Sequence, residues 1–303
     1  MKFIQLLIAT FSLILAAACG GPQHIKALDP HYSEASLAKL RSFHSTHVIN
    51  DSIANLHAVS FNETDSHPVV MIHGTPGSWS TFSFVLGNTK LQKTNQLISV
   101  DRLDWGQSLN SDPKKQSPGF DEQVDAIAAM IRNTTDKPVI LLGHSLGASL
   151  APNIAIKHPD LVKGMILVAG TVDPNLGKPR WFNKIARWKV TQWFLPKELI
   201  NSNKEVYALK PGLHAVESSW QTLNIPIAVI QGLKDRLVFP ENVEYVQKQY
   251  ADKPELLDVV TLPKSGHFIP WEHTDEIINA IYRMNEKFDE NTLPSKHTPQ
   301  KKP

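Results

Sequence analysis

Residues 138–147 read Pro138-Val139-Ile140-Leu141-Leu142-Gly143-His144-Ser145-Leu146-Gly147. The run from Val139 to Leu142 is continuously apolar, which is the pattern of a strand covered on both faces. Gly143 and Gly147 then bracket a serine, and the residues after Gly147 read as a helix, Ala148–Lys157. A strand that turns at once into a helix needs small residues beside the turn, and it lifts the serine oxygen clear of the sheet's carboxyl end. The helix N-terminus behind that serine favours negative charge developing in front of it.

The same strand signal recurs on both sides of this segment. Pro68–His73, Gln96–Asp101, Gly164–Ala169, Pro226–Ile230 and Leu256–Thr261 are short apolar runs. Between them lie amphipathic stretches at Phe120–Arg132, Glu241–Tyr250 and Thr274–Lys287. Strands alternating with helices at this spacing predict an α/β fold built on a mostly parallel, doubly wound sheet. Residues 173–224 break the rhythm: they carry Trp181, Trp188, Trp193 and Trp220 and no strand pattern. They read as a small helical cap, with the tryptophans packed beneath it.

A serine hydroxyl is a weak nucleophile at neutral pH and needs a base within hydrogen-bond reach. His267, in Lys264-Ser265-Gly266-His267-Phe268 after the last strand, is the candidate. Its imidazole in turn needs a carboxylate to fix its tautomer. Asp235, in Gln231-Gly232-Leu233-Lys234-Asp235, follows one strand, and Asp173, in Val172-Asp173-Pro174, follows another. Asp235 is the first choice and Asp173 its rival. The chain order Ser145, Asp235, His267 is that of the α/β-hydrolases.

From about His47 to Lys287 the chain resembles that family. His73-Gly74-Thr75-Pro76-Gly77 is similar to its HGxPG loop, and residues 143–147 to its GHSxG elbow. Gly232 to Asp235 resembles its G-x-x-D acid loop, and Gly266-His267 its base loop. Asp101-Arg102-Leu103-Asp104-Trp105-Gly106-Gln107-Ser108 resembles its D-R-x-G-x-G-x-S stretch, with Asp104 where glycine is usual. The resemblance implies an oxyanion hole made by the backbone N–H groups of Thr75 and Leu146. Trp79, just after the oxyanion loop, either lines an acyl pocket or packs. It also implies a serine hydrolase acting on a small-molecule ester or similar acyl bond. Amides, N-terminal prolyl peptides and carbon–carbon bonds are the other substrates of this constellation, and a non-catalytic binding protein on the same fold is the alternative of another class. A serine at position 145 excludes the epoxide hydrolases and haloalkane dehalogenases, whose nucleophile is aspartate.

Composition narrows the rest. With 31 Lys+Arg against 29 Asp+Glu the chain has no basic surplus for nucleic acid. Its one cysteine rules out an internal disulfide framework, Cys-rich zinc sites and iron–sulfur clusters. No P-loop, no G-x-G-x-x-G after a strand and no H-E-x-x-H spacing is present, so no cofactor or metal is expected.

Met1–Ala18 has an early lysine, an apolar stretch and three terminal alanines, as a secretory signal does. Cys19 follows directly, in a setting that resembles the bacterial lipobox. On that reading Cys19 is lipidated, the protein is held on a membrane of the cell envelope, and Gly20 fits outer-membrane sorting. Ala16-Ala17-Ala18 also fits an ordinary cleavage site, which would give a periplasmic or secreted product with a free thiol. Residues 19–46 read as the lipidated start and a tether, 47–172 and 225–289 as the hydrolase core, and 290–303 as a frayed polar tail.

Overall fold

A computed structural model describes residues 32–49, 52–61, 67–108 and 118–292. The expected signal segment, Cys19 and residues 293–303 lie outside the described residues.

Eight strands form one sheet in the order β1-β2-β4-β3-β5-β6-β7-β8. They are β1 (Arg41–Ile49), β2 (Ser52–Phe61), β3 (Pro68–Ile72), β4 (Gln96–Val100), β5 (Val139–His144), β6 (Val162–Val168), β7 (Ile227–Gly232) and β8 (Leu257–Leu262). All six expected strands are present. β1 and β2 pair antiparallel, as do β2 and β4, and every other neighbouring pair is parallel.

The longer helices are α1 (Phe120–Thr134), α2 (Leu146–Lys157), α3 (Lys197–Val216), α4 (Asn242–Gln249) and α5 (Thr274–Thr292). They cover both faces of the sheet, which is why β3, β4, β5 and β7 are buried at every residue. Alternate side chains along β3 serve different cores: Val70 and Ile72 pack with Ile127 of α1 and Leu150 of α2, while Val69 and Met71 pack with Ile277 and Ile281 of α5. Burying each such side chain is worth about 1.5–3 kcal/mol.

The first hairpin departs from the expected domain limits. The stretch expected to be a tether up to residue 46 holds a short helix at Glu34–Leu37, and β1 opens at Arg41. β1 is an edge strand rich in Ser, Thr and His, with Phe43 and Ser45 turned inward. An edge strand with one solvated face has no continuous apolar run to announce it. The last helix also runs on to Thr292, beyond the expected Lys287.

From β3 the chain goes to β4 on one side and then crosses to β5 on the other. The crevice at the carboxyl ends of β3 and β5 is therefore the topological switch point, where open α/β sheets bind ligands. His73, Gly74 and Ser145 all lie there.

Between β6 and β7 stand helical turns at Trp181–Ala186 and Lys189–Gln192, then α3, then a 3-10 turn at Glu217–Thr222. α3 is joined to the body rather than perched on it: Leu209 and Leu213 belong to the same core as α1 and α2. Gly212 lets α3 approach α1 closely, since a Cβ there would meet the Phe120 ring at 2.4 Å. Of the four cap tryptophans only Trp220 packs as expected. Trp181, Trp188 and Trp193 stand in solvent.

Candidate active site

Ser145 sits between the end of β5 and the start of α2 with φ 54° and ψ −117°. A side chain at positive φ is strained, and three contacts hold it there. Its N–H donates to Val168 O at 2.9 Å, and its carbonyl accepts from Ala148 N at 3.0 Å and Ser149 N at 3.2 Å. The glycines on either side are dictated by crowding. A Cβ on Gly143 would meet Ala148 N at 2.4 Å, and one on Gly147 would meet Ile72 O at 2.0 Å.

The His73–Gly77 loop closes over this elbow. A Cβ on Gly74 would lie 2.9 Å from the Ser145 Cβ. Thr75 follows at the rim, half-buried, and Leu146 is buried in the first turn of α2. Trp79 lies farther along, half-buried against the core on the α5 side of the sheet, its N–H given to Asp101 Oδ1 at 2.7 Å.

Asp235 and His267 meet across the ends of β7 and β8. His267 Nδ1 donates to Asp235 Oδ2 at 2.7 Å, with the aspartate side chain fully buried. Asp235 Oδ1 accepts from Leu237 N at 2.8 Å and Val238 N at 2.9 Å, so the carboxylate cannot rotate away. The two loops are laced by backbone bonds: Leu233 N to Leu262 O at 3.0 Å and Lys234 N to Ser265 O at 2.9 Å. Gly232 permits this approach, because a Cβ there would meet Gly266 O at 2.2 Å. Asp173 is occupied elsewhere: its Oδ1 accepts from Asn175 N at 2.7 Å in its own turn.

His144 joins the elbow to the base loop. Its Nε2 donates to His267 O at 3.0 Å and its ring lies 4.9 Å from that of His267. Burial, and next the neighbouring His267, push the His144 ring down to about 3, so it stays neutral. His267 is further enclosed by Phe268, with ring centroids 5.9 Å apart, while Trp271 stands edge-on to His144 at 5.8 Å. Among the described residues no group of His, Cys, Asp or Glu gathers as a metal site.

A model of the alpha/beta hydrolase family matches residues 69–280. The chain belongs to that family. The human (Lyso)-N-acylphosphatidylethanolamine lipase is 36% identical over 111 residues, which make up 36% of this chain and 32% of that protein. The chain thus aligns with only about a third of that relative's length. The (E)-2-((N-methylformamido)methylene)succinate hydrolase of Acinetobacter baylyi is 24% identical over 248 residues, 73% of this chain and 91% of its own. A thermophilic esterase from Thermogutta terrifontis superposes with a TM-score of 0.59 at 18% identity, covering 82% of this chain and 98% of that one. This last likeness is one of fold.

One cluster in this alpha/beta hydrolase has no role in the motif reading. Arg102 is fully buried beneath the His73–Gly77 loop. Its Nε donates to His73 O at 3.0 Å and its Nη2 to Gly74 O at 2.8 Å. In a trans peptide the N–H points opposite to the C=O, so turning Gly74 O toward Arg102 turns Thr75 N–H away from it. Glu205 of α3 balances the charge, accepting from Nη1 at 2.6 Å and Nη2 at 3.1 Å. Trp105 Nε1 at 3.0 Å and Gln123 Nε2 at 2.8 Å complete its shell. Burial alone would raise the Glu205 carboxyl; the Arg102 charge, then hydrogen bonds that include those from Arg102 and Trp105, outweigh it and hold the pKa below the ordinary value. The sequence offers Arg102 within a motif, but nothing marks Glu205, a lone acid 103 residues farther along.

His73 shows the same economy. Its Nδ1 donates to Gly74 O at 2.7 Å and its Nε2 accepts from Arg102 N at 3.1 Å, a pattern only the neutral ring can satisfy. Burial and then the Arg102 charge hold its pKa well below the usual value. The unusual Asp104 adopts φ 65°, a left-handed conformation that aspartate tolerates better than most residues. Gly106 cannot be replaced in the same way: a Cβ there would meet the Asp101 carboxylate at 2.2 Å.

Proposed function

We propose that this protein is a serine hydrolase that cleaves carboxylic esters through an acyl-enzyme. The observation that carries the reading is the buried bond from His267 Nδ1 to Asp235 Oδ2 beside the strained Ser145 elbow. With its Nδ1 hydrogen committed to the aspartate, His267 has Nε2 as its basic atom. Ser145 Oγ attacks the acyl carbonyl as its proton passes to His267 Nε2. The Thr75 and Leu146 N–H groups stabilise the tetrahedral oxyanion, each worth about 10²–10³ in rate. Collapse expels the alkoxide, which takes the proton from His267. Water then attacks the acyl-enzyme by the same route, returning Ser145 and releasing the acid. The lipase and hydrolase names of the relatives support an acyl substrate.

The test is the kinetics of p-nitrophenyl esters of graded chain length. The reading expects a burst of nitrophenol equal to the enzyme present, abolished in Ser145→Ala. Turnover of amide or diketone substrates with no ester turnover would overturn the ester assignment.

We also propose that residues 1–18 are removed and that Cys19 carries the lipid that holds the protein in a bacterial envelope, each buried CH₂ adding about 0.8 kcal/mol. Cys19→Ala should move the activity from the membrane fraction to the soluble one. An unmodified Cys19 thiol in the wild type would contradict the anchor.

A further inference from the structure

Among the described residues, every large apolar side chain standing in solvent falls on one of two segments, the cap and the acid loop. On the cap they run from Trp181 to Phe194, and the most open are Trp181 at 59%, Trp188 at 64% and Trp193 at 86%. The others, Leu233 and Phe239, flank Asp235 on the acid loop. Scattered exposed apolar residues need no explanation; clustered ones mark a docking surface. Trp220, from the same insertion, is only 1% exposed, so the cap can bury a tryptophan where packing calls for it.

Charge says what the surface meets. From residue 178 to 197 the chain holds Lys178, Arg180, Lys184, Arg187, Lys189 and Lys197 and no Asp or Glu. All but Arg180 are exposed. In a chain whose net charge is only +2, this one strap combines open indoles with six cations and no carboxylate within its own stretch. Indole rings partition to the boundary between headgroups and acyl chains. Lysine and arginine beside them draw anionic headgroups, at about 1 kcal/mol each. A protein partner of matching acidity would satisfy the charges but would need shaped pockets for three large open rings, whereas a bilayer takes indoles at its interface without such pockets.

We propose that the cap strap from Lys178 to Lys197 docks on an anionic phospholipid bilayer. Arg180 makes the strap and the acid loop one surface. Its Nη2 donates to Arg236 O at 2.9 Å and Leu237 O at 3.1 Å, and its guanidinium lies 4.1 Å from the centre of the Phe239 ring. Docking there would bring the Asp235 side of the molecule to the lipid. That last consequence rests on the proposed active site; the docking itself does not.

The experiment uses the full chain carrying Cys19→Ala, so that no lipid anchor contributes. Sedimentation with vesicles of phosphatidylglycerol and phosphatidylcholine in equal parts is compared with pure phosphatidylcholine, and tryptophan emission is recorded with each. The proposal expects binding to the anionic vesicles, a blue shift on binding, and loss of both in high salt. K184E/R187E/K189E should weaken binding at least about tenfold, and W181A/W188A/W193A should remove the blue shift. Hydrolysis of a soluble short-chain ester should be unchanged in both variants, which separates this test from that of the active site. Equal binding to both vesicle types, binding untouched by either variant, or tryptophan substitutions that only dissolve a dimer would each overturn it.

Discussion

Two buried histidines in this molecule give a ring nitrogen to an aspartate that backbone amides already hold. His57 meets Asp101 at 2.8 Å and His267 meets Asp235 at 2.7 Å. The first pair even has a serine at hand, Ser108. By distance and burial the two are nearly the same object, and what separates them is where the remaining atoms go. His57 Nε2 bonds Ser42 Oγ at 2.8 Å, and the Ser108 hydroxyl lies between His57 N and Asp101 O at 2.7 and 2.6 Å. Asp101 also takes Trp79 N and Gln107 N, so the cluster ties β2 to the turn after β4. His267 instead projects from a loop at the carboxyl end of the sheet, beside a serine whose backbone is strained outward. Among the described residues a buried His–Asp bond is therefore a device used twice, once as a rivet and once near the proposed nucleophile.

Substitutions in matching positions test that division. Ser145→Ala should lower kcat by roughly 10⁴–10⁶ and leave the thermal midpoint nearly unchanged. Ser108→Ala should do the reverse: ester turnover by the folded protein within a few-fold, with stability reduced by about 1–3 kcal/mol in urea titration. Asp235→Asn should cost about 10⁴ in kcat through loss of the tautomer. Asp101→Asn should again cost stability and little turnover, and Asp173→Asn should be mild in both respects. If the Asp101 variant loses turnover while its midpoint holds, the division between rivet and site is wrong.

The Arg102–Glu205 pair gives a third effect, smaller than the loss of turnover in Ser145→Ala. Glu205→Ala leaves a buried guanidinium without its counter-charge, and breaking such a pair costs about 3–5 kcal/mol. Guanidinium titration of the variant measures this, and a loss below about 1 kcal/mol would show that Arg102 has other means of neutralisation.

The smallest effect is in pH. His73 and His144 have folded pKa values below that of the unfolded ring, so the unfolded chain gains protons first as pH falls. Their contribution is fully present above the ordinary pKa of about 6.5 and is lost below it, at up to about 1.4 kcal/mol per pH unit for each ring. For His144 the loss continues toward pH 3. Glu205, also depressed, adds its own loss only as pH falls below the ordinary carboxylate range. His144→Asn should flatten the slope of midpoint against pH between 6 and 5, as followed by calorimetry.

How much of this could be read from residues depends on where the signal is local. β3 to β7 announced themselves because burial on both faces demands unbroken apolar runs, and β8, the half-buried strand at the far edge, carried a short apolar run of its own. The elbow was legible because the crowding at Gly143 and Gly147 forces glycine within a few residues of Ser145. The bond between Asp235 and His267 was legible as chain order, each residue following a strand. β1 and β2 escaped notice because neither has such a run: β1 is an edge strand with Ser and His on it, and β2 mixes Ser, Asn and His among its apolar residues. The tie between Arg102 and Glu205 escaped because it joins residues far apart in sequence, and a lone glutamate on a helix looks like solvated surface. Three of the four cap tryptophans were misplaced because large apolar residues read as core, and nothing local in the sequence marks Trp181, Trp188 and Trp193 as exposed.

Intact-mass and peptide analysis after exposure to a fluorophosphonate tests the central claim most directly. The account predicts one phosphonyl adduct per chain, carried by the peptide that contains Ser145, fast in the wild type, slowed by orders of magnitude in Asp235→Asn and as fast as wild type in Asp101→Asn. An adduct on another residue, or none while ester turnover persists, would contradict it.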